Sequence, residues 1–458
     1  MDTMKGLKRT NYCGETEGVG KTVVVGGYVQ KIRDMGNLIF IDLRDRTGIV
    51  QLAFDDHTDR EVFEKAKTCR SEFVLMAKGV VRERESVNKD IKTGNIEIYV
   101  DDLRILAKAQ TPPFEIVNDT NVNEELRLKY RYLDLRRNVL QRNIIMRGEI
   151  AKAARDYFYD NGFIEIETPM MMKSTPEGAR DYIVPSRIHH GKFYALPQSP
   201  QIYKQLLMIS GFDRYIQLAR CFRDEDLRAD RQPEFTQIDL EMSFVDVDDI
   251  LEMAEGFVKY LYKKVLDVDI ETPLPRLTYN EAMERYGSDK PDTRFGMEIQ
   301  NISDAVADSE FVVFKSALEN GGSVRAIVIP QAASVYTRKE IDKLVEFSKG
   351  IGAKGLAYVR WVDDEPNASF KKFFTPEQIA ELMDKVGAKK GDVVLIVADK
   401  DKVTLPVLGA LRLKTAKKMN LIPEGWNFLW ITDFPFFEYD EESGSWMAMH
   451  HPFTMPKD

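Results

Sequence analysis

The chain has 458 residues, of which 43% are hydrophobic and 30% are charged, and its net charge is −9. This length accommodates roughly two to four domains with cores of their own, and the composition excludes a disordered protein. No apolar run approaches the roughly 20 residues of a membrane helix, and the acidic balance argues against a protein that coats DNA, although a local basic face can still bind phosphates.

Three isolated cysteines bear on metals and location. Cys13, Cys69 and Cys221 are odd in number and none belongs to a Cys-x-x-Cys pair, so the sequence favours neither a structural zinc site nor a disulfide. The first six residues lack the apolar core of a signal peptide. We therefore expect a cytoplasmic protein that holds no metal within this chain and contacts no membrane.

Residues 1–108 are predicted to form a small β-barrel. A helical stretch over 59–69 separates the third from the fourth of five strand-like runs, which are 23–29, 38–43, 49–54, 73–81 and 96–100. This order is typical of an OB-fold, which binds single-stranded nucleic acid. Arg33, Phe40, Gln51 and Glu97 would supply a phosphate contact, a stacking ring and partners for base edges. The alternative places Phe40 in the barrel core and the other three on exposed strands.

Residues 109–139 are predicted to be a hinge, because prolines punctuate the chain at 112 and 113 and a highly charged segment follows. A domain over 140–296 begins with an amphipathic helix, predicted from about 140 to 159 and capped by Asn161-Gly162. A strand that ends at Pro169 follows, and then a loop that carries Glu177 at its tip.

A second helix of this domain is predicted to open at Gln198-Ser199-Pro200-Gln201. Gln201 and Lys204 are three residues apart, so both side chains can project from one face of that helix. A lone lysine on a helix is more often exposed to solvent, and this reading stays open for Lys204 on the helix pattern alone.

The segment from Cys221 to Glu241 predicts two antiparallel strands joined by a long charged loop. Its polar side chains suit a nucleotide: Arg223 can bind a phosphate, Glu225 can accept from an amino group, and Phe235 offers a stacking face. The alternative is a salt-bridged hairpin on the surface, since charge runs are usually solvated.

Residues 297–418 are predicted to be an inserted α/β domain without a catalytic constellation. Its strands are expected at 324–329, 356–361 and 393–398, and its helices at 337–349 and 375–386. The preceding domain resumes over 419–458, where neighbouring histidines on a strand point to opposite faces. We expect His450 to line a pocket and His451 to be packed.

Several of these segments resemble known motifs. Phe-Arg-Asp-Glu-Asp-Leu-Arg-Ala-Asp-Arg-Gln-Pro-Glu-Phe-Thr-Gln, from residue 222, resembles motif 2 of class II aminoacyl-tRNA synthetases in the form found in bacterial-type aspartyl-tRNA synthetases. The stretch 162–169 resembles motif 1, 198–205 the aspartate pocket and 449–454 the histidine pair of that family, while 34–51 resembles its anticodon-binding domain.

The resemblance implies a multidomain α/β protein with an N-terminal OB-fold barrel, a class II antiparallel-sheet catalytic domain and the inserted domain. It implies ATP contacts from Arg223, Asp224, Glu225, Gln232 and Phe235, with Arg223 as the catalytic residue. It implies aspartate contacts from Glu177, Ser199, Gln201, Lys204, Arg223, Gln237, Asp239 and His450. It implies anticodon contacts from Arg33, Phe40, Gln51 and Glu97, and a homodimer interface at Pro169.

The implied activity is aspartate–tRNA ligation, with ATP, L-aspartate and tRNA(Asp) as partners. Nothing in the chain resembles the Gly-Leu-Asp-Arg strand of motif 3, so we expect an incomplete catalytic domain whose Mg²⁺ ligands lie beyond residue 458 and which cannot complete adenylate formation alone. Two alternatives remain: a relaxed ligase for tRNA(Asp) and tRNA(Asn), and a noncatalytic tRNA-binding fragment.

Overall fold

The structure is a computed structural model that describes residues 1–175, 177–226, 231–362, 365–440, 443–450 and 454–457. The chain forms two compact units. One comprises Met1–Phe163 with Tyr260–Val268, and the other comprises Ile164–Lys259 with the chain from Asp269 onward. No helix in the described ranges is both long and apolar enough to span a bilayer.

The N-terminal strands close into a five-stranded barrel with the order β1-β2-β3-β5-β4, and the OB-fold prediction is confirmed. The strands are β1 (Thr22–Asp34), β2 (Ile39–Asp45), β3 (Gly48–Phe54), β4 (Val74–Glu83) and β5 (Ile96–Ala107). Helix α1 (Arg60–Thr68) lies between β3 and β4, and the Asp59 side chain caps it by accepting from two backbone N–H groups. Alternate residues such as Ile41, Leu52 and Ile98 fill the barrel with no solvent exposure.

A buried ion cluster lies at one side of this barrel. The Arg44 guanidinium donates to both carboxylate oxygens of Glu72 at 3.0 Å, and Arg136 donates to the same carboxylate at 2.6 Å. Arg44 and Glu72 are 3% and 4% exposed, so their charges are balanced by each other rather than by water.

Replacing Arg44 with Met should destabilise the barrel by about 3 kcal/mol, because it leaves the Glu72 carboxylate buried with fewer partners. The measurement is hydrogen–deuterium exchange of the β2 and β4 amides in the intact chain, which should become faster. Arg104→Met is the matched control, because the Arg104–Asp102 pair is partly exposed and its loss should leave the exchange of these amides nearly unchanged. Equal protection in both variants would contradict the assignment.

Three helices follow in this unit: α2 (Glu124–Lys129), α3 (Arg131–Asp134) and α4 (Asn138–Asp160). Asp134 is fully buried and forms ion pairs with Arg127, Arg131 and Arg137. The charged segment predicted as a hinge is therefore folded, with these arginines arranged around one buried carboxylate. These arginines hold the pKa of Asp134 below its ordinary value against the opposing effect of burial.

The second unit begins with a three-stranded sheet of order β10-β9-β6 and a separate hairpin of β7 and β8. Its elements are β6 (Ile164–Glu165), β7 (Ile183–Pro185), β8 (Phe193–Ala195), α5 (Gln201–Ile209), β9 (Arg214–Phe222), β10 (Glu234–Met242), α6 (Val247–Leu266), β11 (Arg276–Thr278) and α7 (Tyr279–Tyr286). The last residues of α6, from Tyr260, belong to the first unit. Strands β9 and β10 are antiparallel, as predicted, whereas β6 pairs with β9 in parallel.

A five-stranded sheet of order β12-β13-β16-β14-β15 forms the region predicted as the inserted domain. Its elements are β12 (Gln300–Asn301), α8 (Val312–Glu319), β13 (Ser323–Ile329), α9 (Arg338–Gly350), β14 (Ala357–Arg360), β15 (Asn367–Ala368), α10 (Pro376–Lys385), β16 (Val393–Asp399) and α11 (Asp401–Lys418). Two apolar clusters, one on each face of this sheet, form its core, as expected for a sheet covered by helices on both sides.

The chain returns through β17 (Trp430–Thr432), which pairs in parallel with β11, and then forms the hairpin of β18 (Phe437–Asp440) and β19 (Ser445–Ala448). A buried arginine of α11 fixes the segment that precedes β12. The Arg412 guanidinium, 1% exposed, donates to the carbonyl oxygens of Asp292, Phe295 and Gly296 and lies over the ring of Phe295.

Candidate active site

The hairpin of β9 and β10 carries the site on one face. The two strands pair without interruption from Glu234 opposite Phe222 to Met242 opposite Arg214. Because side chains alternate along a strand, Phe235, Gln237 and Asp239 project to the same side. Asp239 is only 8% exposed. The hairpin is therefore not a purely solvated surface element, which was the alternative for this charged segment.

Arg223 and Phe235 lie side by side at the open end of this hairpin. The guanidinium carbon of Arg223 is 5.1 Å from the centroid of the Phe235 ring, within the range of a cation–π contact. The Arg223 Nε is buried and has no hydrogen-bond partner among the described residues. A buried guanidinium donor without an acceptor is costly, and an anionic ligand such as a phosphate would satisfy it.

Lys204 of α5 points into the same face. Its ammonium donates to Asp239 Oδ1 at 2.7 Å and lies 3.4 Å from Glu241 Oε2, and the residue is 9% exposed. The solvent-exposed alternative for this lysine is wrong. An ammonium group has three N–H donors, so at least one remains for a further acceptor beside Asp239 and Glu241.

Glu177 and Ser199 meet at the wall of the site. The Ser199 hydroxyl donates to Glu177 Oε2 at 2.5 Å, and the Thr175 hydroxyl donates to the other carboxylate oxygen at 3.1 Å. The loop that carries Glu177 is held by Gln198, whose amide nitrogen donates to the Ala179 carbonyl at 2.9 Å. The loop tip is therefore fixed by polar contacts within the described part of the chain.

Asp224 and Glu225 line a small cavity of about 290 Å³ together with Arg180 and Arg231. The Asp224 backbone N–H donates to the Arg180 carbonyl at 3.0 Å, and Arg231 donates to Glu225 Oε2 at 3.1 Å. The loop residues 227–230 lie outside the described residues.

The remaining predicted residues lie at other places. Gln201 is half-buried at the start of α5, and Gln232 is exposed. The ring of His450 stands edge-on to Phe434 at 5.9 Å between centroids, with no polar contact to the residues above among those described. His451 lies outside the described residues, and Pro169 is exposed after β6.

The sequence prediction missed four residues that shape the site. Glu241 shares Lys204, Gln198 holds the loop, and Tyr215 donates to Gln217 Oε1 at 2.8 Å. The Cys221 thiol donates to Gln237 Oε1 at 3.3 Å, and burial raises its pKa to about 11. Odd-numbered residues of β9 share the face of Gln237 and Asp239, so strand alternation could have placed Tyr215 and Cys221 at the site.

All four residues predicted to contact bases on the barrel come together. A polar row, defined here as Arg33, Asp42, Gln51, Glu97 and Arg82, crosses the strands of the barrel. Arg33 donates to Asp42 and to Gln51 at 3.0 and 2.7 Å, Gln51 donates to Glu97 at 2.5 Å, and Arg82 donates to Glu97 at 2.7 Å.

Phe40 stands at the end of this row. The guanidinium carbon of Arg33 lies 5.5 Å from the centroid of its ring, and the ring is half-buried rather than part of the fully buried core. One edge of the barrel therefore presents charged groups beside an aromatic face, a combination that suits single-stranded nucleic acid.

Within the described ranges, no group of three or more His, Cys, Asp or Glu side chains could hold a metal ion. The residues of the site therefore do not by themselves fit a bound magnesium ion.

The sequence is similar to known families over nearly its whole length. Residues 123–458 match tRNA synthetases class II (D, K and N), and residues 23–106 match the OB-fold nucleic acid binding domain. The aspartate–tRNA(Asp/Asn) ligase of Caldanaerobacter subterraneus is 58% identical over 462 residues, which cover all of this chain and 78% of that protein. The aspartate–tRNA ligase of Ruminiclostridium cellulolyticum is 56% identical over 463 residues, with 100% and 78% covered.

Solved structures share the fold. The asparaginyl-tRNA synthetase of Pyrococcus horikoshii with asparaginyl-adenylate superposes with a TM-score of 0.54 at 20% identity, covering 88% of this chain and 95% of that one. The Entamoeba histolytica asparaginyl-tRNA synthetase gives a TM-score of 0.52 at 18% identity, with 86% and 93% covered.

Proposed function

Because the chain belongs to the class II tRNA synthetases, with aspartate–tRNA ligases as relatives at 56–58% identity, we propose that it ligates L-aspartate to tRNA(Asp) at the expense of ATP. The observation that carries this proposal is the buried Lys204 ammonium, 2.7 Å from Asp239 and on the same face as Arg223 and Phe235.

The amino-acid side of the site suits a small dicarboxylic substrate. Lys204 supplies a positive charge and a spare N–H for the side-chain carboxylate. Asp239, and Glu177 held by Ser199, supply acceptors for the ammonium group of the substrate. Gln201, Gln237 and His450 are proposed as further contacts of the same amino acid.

The nucleotide side uses the open end of the hairpin. Arg223 neutralises the α-phosphate and its free Nε donates to an oxygen there. The adenine stacks on Phe235 and its amino group donates to Glu225, while Asp224 and Gln232 make further ATP contacts. These roles are supported by the chemistry of the side chains, by the cavity that Asp224 and Glu225 share, and by the contact of Arg223 with the Phe235 ring.

The reaction proceeds by positioning and charge neutralisation. The α-carboxylate of aspartate attacks the α-phosphorus of ATP, the bond to pyrophosphate breaks, and aspartyl-adenylate forms. The nucleophile is already an anion, so this step needs no general base from the protein. The terminal hydroxyl of the tRNA then attacks the carbonyl carbon, and AMP leaves. Magnesium accompanies ATP in this class of enzyme.

The tRNA is proposed to be bound at its anticodon by Phe40 and the polar row of the barrel. A relaxed specificity for tRNA(Asp) and tRNA(Asn) is the second candidate, because a relative at 58% identity carries that activity in its name.

We further propose a homodimer with Pro169 near its interface, supported by the neighbouring exposed apolar side chains of Ile164, Met170 and Met171.

The deciding experiment is aspartate-dependent exchange of labelled pyrophosphate into ATP, followed by charging of purified tRNA(Asp) and tRNA(Asn). We expect exchange with aspartate and none with lysine. Charging of tRNA(Asp) alone identifies the strict ligase, and equal charging of both tRNAs identifies the relaxed one. The chain spans 78% of its relatives' length, so the assays use both the 458-residue chain and the longest product of its coding region. Binding of tRNA without exchange in either form would establish a noncatalytic binder instead.

A further inference from the structure

The hairpin of β7 and β8 is a feature of the second unit to which the proposed reaction gives no role. Ile183 pairs with Ala195 and Pro185 with Phe193, and the turn between the strands is closed by a hydrogen bond from the Ser186 N–H to the Lys192 carbonyl at 2.9 Å. The strands are short, and nearly every side chain from Tyr182 to Tyr194 faces solvent.

Its tip is basic in an otherwise acidic protein. Arg187, His189, His190 and Lys192 fall within six residues, whereas the whole chain has a net charge of −9. All four are exposed, and none forms an ion pair with a residue that the structure describes. Basic side chains that lack internal carboxylate partners are available to external anions.

Apolar and aromatic side chains lie beside these four residues. Phe193 is 55% exposed and Ile188 is 76% exposed, and Tyr182 and Tyr194 are also exposed. Cations that follow a phosphate backbone, together with rings on which bases can stack, are the features by which proteins bind single-stranded RNA.

The base of the hairpin is built into the wall of the site. Ala195 exchanges backbone hydrogen bonds with Met172 at 2.8 and 3.0 Å. Two residues later, the Pro197 carbonyl accepts from the Phe222 N–H at 2.8 Å, directly before Arg223. Backbone hydrogen bonds therefore connect the base of the hairpin both to the segment before the Glu177 loop and to the end of β9 next to Arg223, so a ligand bound to the hairpin would lie beside the site.

We propose that this hairpin binds the single-stranded 3′ nucleotides of the tRNA substrate, with Arg187 and Lys192 on phosphates and Phe193 stacked on a base. The inference rests on the proposed function, which requires the terminal hydroxyl of the tRNA to reach the site. A second copy of this chain is the competing occupant. Charge complementarity favours RNA, because phosphates carry the charge opposite to that of the tip.

The test is a binding cycle with two changes, one in the protein and one in the RNA. The protein variant is R187A/K192A, and the RNA is a tRNA(Asp) transcript with or without its unpaired 3′ nucleotides. We expect R187A/K192A to weaken binding of the intact transcript about 10-fold and to reduce the slope of log K against log salt by about two. Removing the 3′ nucleotides should then have little further effect, since both changes remove the same contacts.

The variant R338A/K339A is the matched control, because it removes an exposed arginine and an exposed lysine from α9 and changes the net charge equally. It should leave both transcripts bound as by the unmodified chain. Phe193→Leu, which keeps the charges, should weaken binding of the intact transcript by about 10-fold with an unchanged salt slope.

Additive effects of R187A/K192A and the shortened transcript would overturn the inference, as would a change of oligomeric state in that variant on sedimentation. Aspartate-dependent pyrophosphate exchange separates the two proposals, because the tRNA takes no part in it. If exchange and tRNA binding are normal but the effects in the binding cycle are additive, the hairpin contact alone is refuted. If both exchange and tRNA binding are absent, the proposed function is refuted together with the hairpin contact.

Discussion

Replacing Lys204 with Met should lower kcat/KM for aspartate by about 10²- to 10³-fold in pyrophosphate exchange and abolish the preference for aspartate over asparagine. The reason is that the ammonium is the only cation within 4 Å of Asp239 and Glu241 among the described residues, and it is buried. A carboxylate substrate depends on that charge, whereas the neutral amide of asparagine does not. The measurement is the ratio of kcat/KM for the two amino acids.

Loss of Lys204 also leaves the Asp239 carboxylate buried without its ion pair, which can destabilise the fold by about 3–5 kcal/mol. The double variant Lys204→Met with Asp239→Asn removes both charges and tests whether the effect on selectivity persists in a stable chain. Lys204→Arg keeps the charge and is the conservative control, expected to retain a preference for aspartate. An unchanged selectivity ratio in Lys204→Met would rule out this role.

Replacing Arg223 with Lys should lower kcat for exchange by about 10²- to 10³-fold. Lysine keeps the charge but loses the planar guanidinium, the buried Nε donor and the contact with the Phe235 ring. The loss should fall mainly on kcat if Arg223 acts on the charge that develops at the α-phosphate, and mainly on KM for ATP if it only holds the ground state.

Phe235→Leu is the companion variant, because it removes the aromatic face and leaves Arg223 in place. It should raise KM for ATP by about 10-fold with a smaller effect on kcat, as expected for a lost stacking contact. If Arg223→Lys and Phe235→Leu give the same pattern of kcat and KM, the separate roles assigned to these two side chains are wrong.

The barrel could be predicted from the sequence because its apolar residues alternate along each strand. The ends of the strands could not: β1 continues to Asp34 and β5 to Ala107, past the predicted 29 and 100. The β1 extension is mainly polar, so it lacks the apolar alternation that marks the earlier part of the strand. In β5 the pair Asp101-Asp102 interrupts the apolar pattern, which then resumes with the buried residues Leu103 and Ile105.

Two long helices, α11 and α6, are absent from the sequence prediction. Helix α11 contains Pro406 and a buried Gly409, and its core-facing residues are spread around its circumference, so it shows no single apolar stripe. Helix α6 was missed although its last turn carries lysines and its first turn carries aspartates, signals that complement the helix dipole.

The members of the site were predicted from motifs, but their pairing was not. The motifs place both Lys204 and Asp239 at the aspartate site, and the structure joins them directly across 35 positions of sequence. Such a contact depends on how α5 lies against the β9–β10 hairpin, which local patterns do not encode. The boundaries at residues 108, 139, 296 and 418 remain predictions.

The polar row of the barrel constrains how this surface can evolve. Gln51 and Glu97 are 3% and 5% exposed, and each satisfies the hydrogen-bonding groups of its neighbours. A single substitution at either position would leave a buried donor or acceptor without a hydrogen-bond partner, which would lower the stability of the fold by about 1–3 kcal/mol. Changes at these positions should therefore be inherited as compensating pairs, so that a new preference for RNA bases arises through epistatic double mutations rather than by single steps.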